Sequence, residues 1–434
     1  MTPAQRLWQA VQHWRAGELF AAVQGNARVI VITEGVCAVP HQWLNAYLPL
    51  YMVALGVGRV EVGLLASLLT ATQLLSTLLG GYLADRFGRK RVLVVGDIIC
   101  WGVPLFLYTV ARDPWYFWLG TIINGFVYVV LPGFQCLFVE DVPPERRSAV
   151  FGMLQLLTSL ASLFAPVAGL MVSRLGMVPA GRIMAGTTMA FIVGTAIVRQ
   201  FTLRETTVGQ ARIRATSGLR WRGVLHQYLE ALRFVWRSYV TRSFLSVRIL
   251  NTFTATMWAT YSALYLTDAA GLRLAKSTVA LLPFVSAIVT IIMLVLAARV
   301  VAAGEELRNL IAGHVLWLAA ALCFVASVAG TLWLVMVWAV IQAVGNALLR
   351  PALQSYWANI VGEWERAQIF AFGSSLTWLC SLPAGLVAGA MYALSPRAPF
   401  LLAMALQACA LALLISIVRL AAQERSDRSR TVPL

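Results

Sequence analysis

Three polar side chains fall on one face of the first strongly apolar segment. Glu34, His41 and Asn45 lie within residues 29–55, which are otherwise rich in aliphatic and aromatic side chains. Residues seven positions apart in an α-helix point within about 20 degrees of one another, so Glu34 and His41 share a face, and Asn45 follows one turn later. A carboxylate beside an imidazole can bind a proton and pass it on. The pattern therefore predicts proton chemistry inside an apolar helix.

Glu34 has two interpretations. An ionisable residue in a membrane span is energetically costly and usually faces a cavity or a partner. Glu34 is then a proton-coupling acid, with His41 as its relay or as a substrate contact. Alternatively, Glu34 lies near the end of its span and is hydrated or paired with an arginine. Asp97, early in another apolar run, is expected to form a structural ion pair with an arginine.

A second polar stripe falls late in the chain. Gln342, Asn346 and Arg350 are spaced four residues apart within residues 332–358. Steps of four residues drift by only about 40 degrees, which keeps the three side chains on one wall of a helix. We expect that wall to line a cavity. Arg350 requires an anion, which is Glu34, another carboxylate or the substrate itself; a purely structural ion pair is the alternative.

Aromatic and amide side chains complete the set of candidate cavity residues. Trp258, Tyr261 and Tyr265 follow helical spacing and can stack on an apolar or ring-bearing ligand, although core packing produces the same pattern. Asn124 precedes Pro132-Gly133, where we expect the fourth apolar segment to bend.

The elements that carry these residues are predicted to be membrane helices. Of 434 residues, 60% are hydrophobic and 12% are charged, about half the charged fraction of soluble proteins. A span needs about 20 apolar residues. The segments that meet this requirement form two sets of six: 29–55, 62–83, 92–111, 115–139, 148–173 and 180–201, then 243–267, 277–301, 307–329, 332–358, 366–394 and 398–421.

Charge completes this domain organisation. Most lysines and arginines fall in the termini and in alternate loops, which places both termini in the cytoplasm. The predicted regions are an interfacial helix at 1–28, a first six-helix bundle at 29–201, a linker with a basic amphipathic helix at 202–242, a second bundle at 243–421 and a tail at 422–434.

The same features limit the partners. The net charge of +16 flanks the spans, so we expect an anionic lipid bilayer and no nucleic acid. The cysteines and histidines lack the spacing of metal ligands, and no phosphate-binding loop or nucleophile triad is evident. We therefore expect no cofactor, no metal and no enzymatic activity, and a monomer of the cytoplasmic membrane.

One charged loop carries a family resemblance. The stretch from Gly81 to Leu93, with Asp85, Gly88 and Arg89, resembles the loop signature of the major facilitator superfamily, G-x-L-a-D-r-x-G-r-k-x-x-l. The resemblance implies an all-α integral membrane protein with twelve transmembrane helices in two pseudo-symmetric six-helix bundles. It also implies a mid-membrane cavity and alternating access.

The resemblance gives the loop a gating role. Asp85 is expected to face the positive N-terminal end of a nearby helix, by analogy span eleven. Arg89 is expected to pair with Glu140 or Asp141. Together with the hinge glycines Gly81 and Gly88, these residues would latch the two halves on the cytoplasmic side.

Span five suggests a functional class. Gly152 and the run from Ala165 to Gly169 resemble the antiporter signature of the superfamily's drug exporters, with alanine at two of its glycine positions. The arginine that such exporters carry in span four is Thr121 here, so a coupling site would lie elsewhere, with Glu34 first.

Three hypotheses follow. The first is a proton-coupled exporter of small, partly apolar compounds. The second is an importer or facilitator of a polar solute such as a sugar or an organic anion. The third is a non-transporting membrane sensor.

Overall fold

Twelve long helices form the described part of the chain. The computed structural model describes residues 23–140, 142, 147–215, 236, 238–300, 306–360 and 366–431. We number the helices α1 Gly25–Ala54, α2 Arg59–Phe87, α3 Arg89–Val110, α4 Trp115–Val129 with Leu131–Val139, α5 Arg147–Ser162 with Ala165–Leu175, α6 Met177–Thr202, α7 Tyr239–Thr267, α8 Lys276–Ala280 with Leu281–Val300, α9 Glu306–Val325, α10 Leu332–Ile360, α11 Arg366–Ser381 with Ala384–Leu394, and α12 Ala398–Thr431.

Most of these helices suit a bilayer. Within the described residues, nine helices are long and apolar enough to cross a membrane, and ten are if the bent α4 is counted as one span. The two remaining long helices are α1 and α7, whose lower apolar content reflects the polar residues predicted to be functional. Backbone groups in lipid must be paired, and a helix pairs them within its own segment.

The predicted spans agree with the helices to within a few residues at most ends. A short helix at Thr207–Ala215 follows α6 and was not predicted, because its residues lie in the polar linker. The predicted interfacial helix falls almost wholly on residues 1–22, and the basic amphipathic helix lies mainly on 216–235; both stretches lie outside the described residues.

Three helices are interrupted in their middle. As predicted near Pro132, α4 bends, by 40° at Val130. Breaks also occur in α5 just before Ala165 and in α11 at Leu382 and Pro383. Proline lacks an N–H group and its ring clashes with the preceding turn, so helices bend or restart beside it.

The helix ends define two faces of the bundle. We call the face that carries the Gly88 loop the Gly88 face, and the opposite one, with the turn at Gly176, the Gly176 face. We refer to α1–α6 as the first half and α7–α12 as the second half. This description fixes no membrane side.

The two halves are joined closely at the Gly176 face. Arg59 forms an ion pair with Asp268 at 2.8 Å. The Tyr47 hydroxyl donates to the Lys276 carbonyl at 3.0 Å, and the Tyr261 hydroxyl donates to the Arg59 carbonyl at 2.8 Å. These bonds hold α1 and α2 against α7 and α8, so the bundle is closed at this end.

A glycine pair permits the closest approach of the halves. Gly63 of α2 and Gly385 of α11 face each other so tightly that a Cβ atom on either would overlap the other's carbonyl oxygen. The amide of the next residue, Leu386, donates to the Ser67 hydroxyl at 2.9 Å. Small residues allow such backbone contact between membrane helices.

We predict that Gly63→Ala destabilises the protein. The added methyl overlaps the Gly385 carbonyl and the Tyr261 hydroxyl, and overpacking of this kind costs about 1–3 kcal/mol. The midpoint of thermal unfolding in detergent, measured by scanning fluorimetry, should fall by several degrees.

Gly194→Ala is the matched control. Gly194 lies within α6, and a Cβ there meets nothing within 4 Å. Because alanine is the better helix former, this variant should be unchanged or slightly more stable. Equal midpoints for Gly63→Ala and the wild type would contradict the close contact.

Candidate functional site

The principal cavity lies mainly within the first half. Its volume is about 380 Å³. Helices α1 to α4 supply nearly all of the wall, and α7 adds Ala259 and Thr260. Of the predicted residues, His41, Asn45 and Asn124 line it. The described lining contains no aspartate, glutamate, lysine or arginine, so the cavity offers apolar and aromatic surface with a few neutral polar groups.

A second cavity of about 260 Å³ lies beside the first, toward the Gly88 face. We call it the acid cavity because Glu34 and Asp97 are in its wall. Trp101, Val127 and Tyr128 line both cavities and therefore form the partition between them.

Glu34 and Asp97 are held by one cation, Arg199 of α6. Its Nη2 donates to Glu34 at 2.6 Å and its Nη1 to Asp97 at 2.8 Å. The remaining nitrogen, Nε, donates to the Thr33 hydroxyl at 2.9 Å. The arginine side chain is 4% exposed, whereas that of Glu34 is 34% exposed. All three guanidinium nitrogens are thus satisfied, and Glu34 is the more accessible acid.

This acid trio of Glu34, Asp97 and Arg199 carries unbalanced charge. Two ionised carboxylates against one guanidinium leave one net negative charge. An uncompensated charge away from water is costly, and two carboxylates close to one cation disfavour each other's ionised form. Binding of one proton makes the trio neutral, so the geometry suits reversible proton binding.

His41 lies on the cavity side of this arrangement. Its ring contacts Trp101 edge-on, with the ring centroids 5.1 Å apart. His41 therefore contacts the partition, and among the described residues it forms no hydrogen bond with Glu34. Asn124 donates to the Cys100 carbonyl at 2.9 Å, which fixes α4 against α3.

The predicted aromatic stripe of α7 lies in packed regions. Trp258 is 5% exposed and stacks on Trp338, while Tyr265 packs on Phe324 and Phe400. Tyr261 is buried in the contact between the halves described above. None of these three side chains lines either cavity in this conformation. Their surroundings match the alternative interpretation, which was core packing.

The stripe on α10 also lies away from the two cavities. Gln342 and Asn346 are half-buried and Arg350 is exposed. Among the residues that the structure describes, no carboxylate forms an ion pair with Arg350. Glu34, one of the three candidate anions for Arg350, is bound by Arg199 instead.

The Gly88 loop is tied to the end of α4 and to the segment after α6. Arg89 forms an ion pair with Glu140 and donates to the Thr206 hydroxyl at 3.0 Å. Thr206 in turn donates to Glu140 at 2.6 Å. These bonds lie within the first half.

The backbone conformation at position 88 requires glycine. Its φ of +92° is unfavourable for other residues, and a Cβ atom would approach the Glu205 carboxylate to 2.9 Å. That carboxylate accepts the Lys90 amide at 3.0 Å, which satisfies the N-terminal end of α3. Gly81 lies within α2, while the side chain of Asp85 and the whole of Asp141 lie outside the described part of the structure.

Sequence reasoning missed Arg199. Arg199 falls inside the predicted span 180–201, three residues before the end of α6, where an arginine is ordinarily expected to face the membrane surface. The available signal was that Glu34 and Asp97 both fall within apolar runs of the first half, which requires a cation at a similar depth. Arg199 is a cation of that half that can meet this requirement.

A second missed feature is a neutral polar trio in the second half. Asn251 of α7, His314 of α9 and Gln407 of α12 are hydrogen-bonded to one another through Asn251, at 3.1 and 3.2 Å. They come from the first, third and sixth helices of their half, as Glu34, Asp97 and Arg199 do in theirs. The charged trio in the first half thus has a neutral counterpart in the second.

A helical bundle with apolar spans, an uncharged cavity and an ion-paired trio beside it are features of a membrane transporter. The sequence matches the family model described as Major Facilitator Superfamily over residues 32–311, more than half of the chain. The chain belongs to this superfamily. The predicted family, the all-helical membrane fold and a transport rather than an enzymatic role are confirmed.

Known proteins show the same fold with different cargoes. The chain is 23% identical over 360 residues to quinolone resistance protein NorA of Staphylococcus aureus strain Mu50, covering 82% of this chain and 87% of NorA. It is 32% identical over 116 residues to a Na(+), Li(+), K(+)/H(+) antiporter of Planococcus maritimus, 25% of this chain and 27% of that protein. A mutant of the nucleoside transporter NupG superposes with a TM-score of 0.71 at 14% identity, covering 92% and 99% of the two chains.

We predict that Arg199→Gln strongly destabilises the protein. Removing the cation leaves two carboxylates buried together, and breaking a buried pair costs about 3–5 kcal/mol. The midpoint of thermal unfolding in detergent should fall by more than it does when a single exposed residue is substituted. Adding Asp97→Asn to the same chain should restore part of the loss, because it removes one of the two negative charges.

Arg174→Gln provides the control, since Arg174 is exposed on α5. It should leave the unfolding midpoint nearly unchanged. An Arg199→Gln protein as stable as the wild type would show that the trio does not hold α1, α3 and α6 together.

Proposed function

We propose that this protein is a proton-coupled exporter of small, partly apolar compounds. The observation that carries the proposal is the juxtaposition of an uncharged cavity with an acid trio that one proton neutralises. Similarity to NorA, a quinolone resistance protein, supports efflux, and similarity to the Planococcus cation/proton antiporter supports proton exchange.

Glu34 is the coupling acid in this proposal. It is the more exposed carboxylate of the trio and lines the acid cavity, so a proton can reach it more readily than Asp97. Asp97 holds Arg199 in place. His41, Asn45 and Asn124 contribute polar contacts for the transported compound inside an otherwise apolar wall.

The transport cycle follows from charge. With the trio deprotonated, its net negative charge attracts a compound that carries a positive charge or a polarised ring. A proton arriving at Glu34 removes that attraction and favours release. Exchange of the two ligands lets a proton gradient drive the compound outward, because each ligand shifts the conformational equilibrium by its differential affinity.

We propose that the termini and the Gly88 face are cytoplasmic, as the distribution of arginine and lysine predicts. The bonds between the halves at the Gly176 face then close the outer side, and the compound enters from the cytoplasm. Residues 29–201 and 243–421 would move as two bundles about the site.

An importer or facilitator of a polar solute is the alternative, and Arg350 favours it. Its guanidinium is exposed and has no carboxylate partner among the described residues, so a sugar phosphate or an organic anion could bind there. Arg350 does not line the principal cavity, which is why we prefer the exporter.

We predict that Glu34→Gln abolishes proton-driven transport and leaves the fold intact. Glutamine retains an oxygen for Arg199 but cannot exchange a proton. In liposomes with an imposed pH gradient, uphill ethidium transport should fall about tenfold or more, while downhill exchange and the unfolding midpoint change little.

Glu61→Gln is the matched control. Glu61 accepts the Gly58 amide at the start of α2, a capping role that glutamine can also fill. Full uphill transport by Glu34→Gln would refute the assignment of the coupling acid. Saturable anion uptake by both variants, without ethidium transport, would favour the importer.

The Gly88 loop is proposed as a gate. Asp85 would latch the halves at the cytoplasmic side when the outer side opens, with Gly81 as a hinge and with Arg89, Glu140 and Asp141 as the supporting charge cluster. The pairing of Arg89 with Glu140 supports a rigid base for that latch.

We predict that Asp85→Asn shifts the population toward the inward-open state, because the neutral amide interacts less with a helix N-terminus. A cysteine replacing Gln73, which lines the principal cavity, should react several times faster with an impermeant maleimide added from the cytoplasmic side. Asp113→Asn, in a loop at the Gly176 face, should not alter that rate. Unchanged labelling in Asp85→Asn would contradict the gate.

A further inference from the structure

One turn of α3 departs from α-helical geometry. Residues Asp97–Gly102 form a π-helical turn, in which the Val103 amide donates to the carbonyl of Ile98, five residues earlier. Such turns are rare, are less favourable than α-helix and occur frequently at functional sites. This turn begins at a member of the acid trio.

The turn is held from both sides. At its start, Asp97 accepts from Arg199 of α6 at 2.8 Å. Near its end, the Cys100 carbonyl accepts from Asn124 of α4 at 2.9 Å. In an α-helix that carbonyl would accept from the amide of residue 104, but Pro104 has no N–H, so Asn124 satisfies an acceptor that the proline leaves available.

Trp101 connects this turn to the principal cavity. It lines both the principal and the acid cavity, and its ring contacts His41. Asp97 and Trp101 are four residues apart, so one short, irregular turn carries both the acid and the partition. The arrangement links the charge of the trio to the shape of the cavity wall.

We propose that the π-turn transmits protonation of the acid trio to the cavity, with Trp101 as the positioning residue that moves. The inference rests on the proposed exporter function and adds the part that couples its two ligands. Neutralising Glu34 releases its share of Arg199, which then pairs with Asp97 alone and draws the start of the turn toward α6, so that the turn shifts along α3. Side chains one residue apart in a helix differ in direction by about 100 degrees, so a shift of one residue turns Trp101 substantially.

Several titratable groups surround Asp97. They are Glu34, Cys37 and His41 of α1, Arg199 of α6 and Tyr128 of α4, with Cys100 on the turn itself. Glu34 is the acid among them that shares the cation, so proton uptake by the trio involves this pair. The two cysteines and Tyr128 carry no charge near neutral pH.

The test compares ligand binding with proton release. Ethidium serves as the probe because it is aromatic, carries a permanent charge and does not titrate near neutral pH. Its dissociation constant is measured by fluorescence polarisation on purified full-length protein in detergent. Proton release on binding is measured with a pH-sensitive dye in weak buffer.

We expect Trp101→Leu to separate the two readouts. Measured at saturating ethidium, the protons released per bound ethidium should fall about fivefold or more, independent of any change in the dissociation constant that loss of a cavity-lining ring causes. Trp101→Phe, which keeps a ring against His41, should retain at least half of the release. Trp118→Leu is the control, because Trp118 is a half-buried tryptophan of the same half outside both cavities.

Two results would overturn this inference and leave the proposed exporter function standing. One is normal proton release by Trp101→Leu. The other is a fall in proton release per bound ethidium in Trp118→Leu as large as that in Trp101→Leu, which would make the effect of Trp101 unspecific. A wild type that binds no ethidium, or binds it without proton release, would overturn the proposed exporter and this inference with it.

Discussion

A guanidinium removed from water requires anions, and this constraint organises the first half of the protein. Arg199 meets it by binding Glu34 and Asp97, which come from two other helices. Three helices distant in sequence are therefore fixed at one depth. Because two acids share one cation, this pairing leaves one excess negative charge, which a proton can remove. The structural pairing and the proposed proton chemistry rest on the same contact.

The two halves pair their buried polar side chains in different ways. The first half uses charges, and the second uses the neutral trio of Asn251, His314 and Gln407. Both trios draw on the first, third and sixth helices, as expected of a fold with internal repeats. The principal cavity lies in the charged half, while aromatic packing around Trp258 fills the second. The two halves thus have corresponding helices but different polar side chains, charged in the first half and neutral in the second.

Close contact between the halves depends on small residues and on hydrogen-bond donors placed beside them. Gly63 and Gly385 let α2 and α11 touch through their backbones, and Tyr261 adds a hydrogen bond at the same level. A contact of this kind has two discrete arrangements, packed or parted, since close-packed surfaces do not deform continuously. This property suits the alternating access implied by the superfamily.

The sequence by itself determined the membrane helices, the superfamily loop and the place of Glu34 on the polar face of an apolar helix. These follow from apolar length, local charge and spacing within one helix. Only the tertiary structure decided that Arg199 is the partner of Glu34, that Trp258 and Tyr265 pack in a core, and that Arg350 lies away from the cavity. Helical periodicity gives the relative directions of side chains on one helix, but it does not say which neighbouring helix each direction meets. That choice depends on packing between segments far apart in the chain.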